Sequence, residues 1–193
     1  MINAVLERKE LTKSARISIK ALLTFATVVA AVGLPQIVHL IAGSGGGVKW
    51  LPMYLPVLFG ACLLGPRWGV IAGIASPAVS FLLTSAAGDP MPAAARLPFM
   101  AAELALMALV CGLFSAKLEK KPLLSFAAVA SALVAGRAFF LLLVTVFASL
   151  VPFTPQVILG QIVTGIPGLI LCATAVPLAL IAVSHLSTRD ERH

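Results

Sequence analysis

Two parts of this sequence hold residues that could do chemistry. The first is GSGGGVKW at Gly43–Trp50, a lysine beside a glycine run. A phosphate-binding loop needs glycine directly before that lysine and Ser or Thr directly after it. Its backbone N–H groups then cradle phosphate, and the hydroxyl holds Mg²⁺. Here Val48 precedes Lys49 and Trp50 follows, so the run is not read as a nucleotide site. The second part is dispersed: Gln36, His39, Tyr54, Ser80, Thr84, Arg96, Glu103, Arg137 and Gln161 interrupt long apolar runs. There is no H-E-x-x-H, no G-x-S-x-G and no aspartate pair; outside the C-terminal tail, Asp89 is the sole aspartate. No catalytic residue, metal site or cofactor is therefore expected, and the chain is not read as an enzyme. Cys62, Cys111 and Cys172 all lie within apolar runs and read as small packing residues.

The elements that carry these residues follow from composition. Of 193 residues, 60% are hydrophobic and 11% charged, and the mean hydropathy is +1.06. Soluble domains run near 45–50% apolar and about 25% charged, so a domain of this size could not hide so much apolar surface from water. The fold class expected is all-α, a six-helix transmembrane bundle in a lipid bilayer. Apolar stretches of about 20 residues span the hydrocarbon. They are read at 20–41, 51–64, 68–86, 93–116, 123–151 and 155–185. These sit in a transmembrane domain at 20–186, between a basic leader at 1–19 and a tail at 187–193. The second span is short for a bilayer and marked by proline.

Orientation follows from charge. The chain carries a formal +7, but its basic residues sit in connections and tails rather than on one face interleaved with aromatics, which argues against nucleic acid. With the N-terminus inside, eleven Lys/Arg fall in inner connections and tails, and Lys49 stands alone outside. Cytoplasmic loops carry that excess, so both termini are expected in the cytoplasm. The glycine run then becomes the outer loop after the first span, either a plain linker or a gating flap built on Gly45, Gly46 and Trp50.

Depth follows at about 1.5 Å per helical residue. Gln36 and His39 fall in the outer third of the first span. Ser76, Ser80 and Thr84 form one stripe climbing outward on the third. Arg96 lies at the outer mouth of the fourth, Glu103 near the midplane two turns further in, and Arg137 and Gln161 roughly 10 Å below the outer surface. Polar groups in hydrocarbon are costly and usually face the bundle interior. The simplest account is a pocket openable to the outside and sealed below. Two readings of Glu103 and Arg137 stand at this point: they bridge each other, or at least one of them addresses a polar ligand.

The stretch LPMYLPVLFGACLLGPRWGVIAGIASPAVSFLLT, followed by PMPAAARLPFMAAELALMALVCGLF, resembles the substrate-binding S component of energy-coupling factor (ECF) vitamin transporters. The match rests on LPM-x-x-P, L-G-P-x-x-G, S-P-x-x-S-x-L-L-T, the M-P before the fourth span and M-A-x-E-L within it. It covers roughly residues 20–116; beyond that only hydropathy and span number agree. Relatives often carry a Tyr-Gly a few positions after the Glu-Leu pair, whereas Ala105, Leu106 and Met107 follow it here. The resemblance implies capture of a water-soluble vitamin or precursor beneath a flap after the first span, in a prokaryotic plasma membrane. It also implies partners, namely a transmembrane coupling protein and two ATPase subunits, with Ala26 and Ala30 as the docking pair. Two other classes stand beside this one. A solitary small-solute transporter would be favoured by internal repeats, and no convincing similarity joins the halves. A structural scaffold of MreD-like architecture has no need of the polar outer-half residues.

Overall fold

A computed structural model describes residues 12–43, 45–118, 121–150 and 152–189, with side chains described up to His185. Residues 1–11 of the leader, with Arg8 and Lys9, lie outside the described residues, as do Lys120 and the tail from Asp190. The described chain is helical without strands. In order it forms α1 (Lys13–Ala42), α2 (Gly46–Trp50), α3 (Tyr54–Leu64), α4 (Pro66–Ala86), a 3₁₀ turn (Ala94–Arg96), α5 (Leu97–Leu118), α6 (Leu124–Val146), α7 (Pro155–Thr164) and α8 (Ile166–Arg189). Among the described residues, six stretches are long and apolar enough to cross a membrane: α1, α2 with α3, α4, the 3₁₀ turn with α5, α6 and α8. The protein is a multi-pass membrane protein.

Local rules explain the breaks. The Thr12 hydroxyl accepts a hydrogen bond from the Ala15 N–H at 3.3 Å, capping α1. Between α3 and α4 the chain reverses on L-G-P. Gly65 takes φ 87°, a left-handed value that side chains disfavour, and Pro66 supplies the preset first residue of α4. A Cβ on Gly73 would lie 2.8 Å from the Leu104 carbonyl oxygen, so α4 and α5 touch backbone to backbone. Small residues permit this in membrane bundles, where close packing drives helix association.

Two spans differ from the sequence expectation. The second is extended by α2, so the glycine run is helical from Gly46 onward and the connection after the first span is shorter than expected. The sixth is not one helix, since the chain turns at Gly165 between α7 and α8. Pro167 lies two residues beyond, in the first turn of α8, and has no N–H to continue a ladder.

Helix α3 is central, contacting α1, α4, α5 and α8. Its Val57, Leu58, Ala61 and Cys62 are fully buried in the main core. Cys111 and Cys172 join that core, and all three cysteines are free. The outer surface of the bundle is the reverse of a soluble protein's: Leu22, Phe25, Ile71, Leu113, Leu142 and Ile170 are exposed. An apolar exterior of this kind suits lipid, not water.

Candidate ligand cavity

A cavity of about 320 Å³ opens at the end of the bundle away from Lys13. It lies among the end of α1, the α2–α3 junction, the loop before α5, and the facing sides of α5, α6 and α7. Seven sequence-selected residues line it: His39, Tyr54, Ser80, Arg96, Glu103, Arg137 and Gln161. Gln36 and Thr84 are not among its walls, and neither are Gly45, Gly46 and Trp50, although Gly47 and Val48 of the same segment are. Ala26 lies exposed on α1 and Ala30 is half-buried, both far from the cavity in sequence register.

The centre of the site is a three-residue cluster drawn from three helices. Tyr54 stands at the first turn of α3 and donates its phenolic hydrogen to Glu103 Oε2 at 2.6 Å. Arg137 on α6 places one guanidinium nitrogen 3.3 Å from Glu103 Oε1 and its Cζ 4.9 Å from the centre of the Tyr54 ring. Cation–π contact and ion pairing thus hold the same guanidinium. The Glu103 side chain is 1% exposed and that of Arg137 13%. The protein does not use all their hydrogen-bonding capacity, for neither Glu103 Oε1 nor Arg137 Nε has a hydrogen-bond partner. Unsatisfied buried polar atoms are few in folded proteins, and each calls for a physical reason.

The rim is built differently. Arg96, in the 3₁₀ turn, stacks its guanidinium 5.3 Å from the Phe153 ring centre. Phe153 in turn meets Phe99 edge-on at 5.8 Å, and Phe99 meets Phe140 at 6.5 Å. This aromatic group, with Val144 and Ile158, forms a second small core that backs one cavity wall. The 88–93 loop is pinned by the serine–threonine stripe of α4. The Ser80 hydroxyl donates to the Met91 carbonyl at 2.9 Å, and Thr84 Oγ1 accepts from the Met91 N–H at 2.7 Å. Thr84 also bonds the Ser80 carbonyl of its own helix, and Ser76 bonds that of Ala72. Of this stripe only Ser80 faces the cavity; Thr84 holds the loop that forms its wall.

Helix α2 covers the cavity and is tied down by glycine. A Cβ on Gly168 of α8 would lie 2.6 Å from the Trp50 carbonyl carbon and oxygen and 2.8 Å from the Lys49 oxygen. The α2 backbone therefore rests directly on the first turn of α8. Leu51, which lines the cavity and joins α2 to α3, sits at φ 48°, ψ 48°. That left-handed conformation costs a non-glycine residue on the order of 1–2 kcal/mol, and such strain gathers at ligand clamps.

Sequence reasoning did not select the apolar walls at Pro35, Pro52, Met53, Met91, Pro92 and Met100. The signal was present in the prolines of LPMYLP and PMP, which force chain ends and turns at this depth. Compared with protein-family profiles, curated proteins and solved structures, the chain matches none at a significant level.

Proposed function

We propose that this protein captures a small polar solute from the outer side of the membrane as the substrate-binding subunit of an importer. The observation that carries the reading is the buried Tyr54–Glu103–Arg137 cluster on the wall of a cavity that Arg96 and Gln161 also line. A cavity near 300 Å³ with mostly apolar walls and a few convergent polar groups is the usual form of a small-molecule site. Toward the Lys13 end the buried side chains are apolar apart from small hydroxyls such as Ser115, Ser125 and Thr24, which supports a site sealed on one side. The basic residues concentrate at that same end, which supports its being cytoplasmic.

The resemblance to ECF S components extends the proposal. The solute is then a water-soluble vitamin or precursor, and α2 is the covering flap. A coupling protein docks near Ala26 and Ala30, and two partner ATPases supply the energy, since this chain carries no Walker motif. A pure scaffold has no need of a cavity lined by Arg96, Glu103, Arg137 and Gln161.

Native mass spectrometry of protein extracted gently from its own membranes tests capture. A bound small molecule should accompany the wild type and be lost from a folded Glu103→Gln variant. Wild-type protein that carries no small molecule, with none regained on exposure to cell extract, would refute capture.

A further inference from the structure

We infer that the cavity selects a small organic monocarboxylate with an aliphatic, hydroxyl- or amide-bearing body, and that Arg96 is the residue that reads the carboxylate. This inference rests on the capture reading above and narrows it to a ligand class.

Charge in the cavity is not balanced by its own side chains. Among the described residues the carboxylates are Asp89 and Glu103, and only Glu103 lines the cavity. Against it stand two guanidiniums, Arg96 and Arg137. Arg137 is matched by Glu103, while Arg96 meets only the Phe153 ring and has no carboxylate partner among the described residues. One positive charge therefore stands at the half-exposed rim of the cavity with no carboxylate beside it among the described residues. A ligand bearing one negative charge supplies the pair. Guanidinium binds carboxylate and phosphate equally well in geometry, through two parallel N–H donors. Charge decides between them, because a phosphate monoester carries about −1.5 to −2 at neutral pH and would leave the cavity negative. A carboxylate leaves it neutral.

The walls describe the rest of the ligand. Apart from Tyr54 and Phe140, the apolar lining is aliphatic, including Pro35, Val48, Leu51 and Met100. The Tyr54 ring is already covered by Arg137 at 4.9 Å. A flat aromatic ligand would find no pair of faces to stack between, whereas a branched aliphatic body fits such walls. On the α7 wall the Gln161 side-chain oxygen can accept a hydrogen bond. A ligand hydroxyl or amide N–H provides it. The site thus offers a hydrogen-bond acceptor on one wall and a cation at the rim, with an apolar middle.

The same carboxylate chemistry could come from a free solute, and an anionic lipid headgroup could also neutralise Arg96; the test separates the two. Purified protein in phosphatidylcholine nanodiscs is titrated with short hydroxy-monocarboxylates, with their neutral primary amides and with matched amines, reading thermal shift and calorimetry. At least one acid is expected to bind at least about tenfold more tightly than its amide, the size of one lost charge-assisted hydrogen bond. Arg96→Gln is expected to abolish that preference with the fold and the Tyr54–Glu103–Arg137 cluster intact. Preference for amides or amines, an acid preference unchanged in Arg96→Gln, or no binding by any acid would overturn the inference. Binding of a neutral compound or an amine would do so while leaving the capture reading in place. A parallel set of nanodiscs contains phosphatidylglycerol. If that lipid alone is retained by wild type, lost from Arg96→Gln and displaced by no acid, the rim is a lipid site and the capture reading falls too.

Discussion

Glu103 and Arg137 are a buried pair whose mutual dependence can be worked from their geometry. At 3.3 Å, and at the effective dielectric near 20 that suits protein sites, the gross attraction is 332/(20 × 3.3), about 5 kcal/mol. Desolvation takes back several kcal/mol per ion, so the net coupling expected is about 1–3 kcal/mol. The two ends of the pair are not equivalent. Glu103 is 1% exposed, whereas Arg137 is 13% exposed on a wall of the cavity. In Glu103→Gln the guanidinium keeps the Tyr54 face and a route to solvent. In Arg137→Gln the carboxylate keeps one hydrogen bond from Tyr54 in an otherwise dry setting. Arg137→Gln is therefore expected to be the more damaging, at about 3–5 kcal/mol, with Glu103→Gln milder. The double variant should recover part of the loss. Reversible denaturation in mixed micelles, run as a double-mutant cycle, reads all three values. Additivity of the single changes within about 0.5 kcal/mol, or a reversed order of damage, would refute the reasoning.

Three further outcomes follow from single contacts. Gly168→Ala brings a Cβ to 2.6 Å from the Trp50 backbone, so α2 must lift. A loss of about 1–3 kcal/mol and faster hydrogen exchange across residues 46–53 are expected, while Gly33→Ala, where a Cβ meets nothing within 4 Å, should leave that exchange unchanged. Tyr54→Phe removes the 2.6 Å donor to Glu103 and should cost about 1–3 kcal/mol in the same denaturation assay, with a cost under about 0.5 kcal/mol speaking against the cluster. Thr84→Val removes the acceptor of the Met91 N–H; exchange at that amide should rise and stability fall by about 1 kcal/mol, with the bundle otherwise unaltered.

Much of this architecture is legible in the residues, for reasons that differ from element to element. The spans show because hydrocarbon admits few charges, so runs such as 123–151 stand out; α6 in fact ends at Val146. Polar residues gathered toward one half of the spans predict a shared cavity, and His39, Ser80, Arg96, Glu103, Arg137 and Gln161 all line one. Tyr54 was legible as a candidate, but its bond to Glu103 was not, because only tertiary packing brings the first turn of α3 against α5. The helical form of Gly46–Trp50 was hidden by its glycines, which favour a flexible chain in isolation; its seat on Gly168 overrides that preference. The turn at Gly165 was missed because apolar content alone does not distinguish one long helix from two. The stripe points Thr84 at the cavity, but of its three residues only Ser80 lines it, and the Thr84 hydroxyl serves the 88–93 loop instead.

Capture from outside, as proposed, requires the cavity to face the cell exterior. Labelling of a His39→Cys variant with a membrane-impermeant maleimide tests this directly, because the three natural cysteines are buried. Reaction in intact cells, slowed by the solute that co-purifies with the protein, is the expected result. Reaction only after the inner face has been exposed would reverse the orientation and contradict capture from outside.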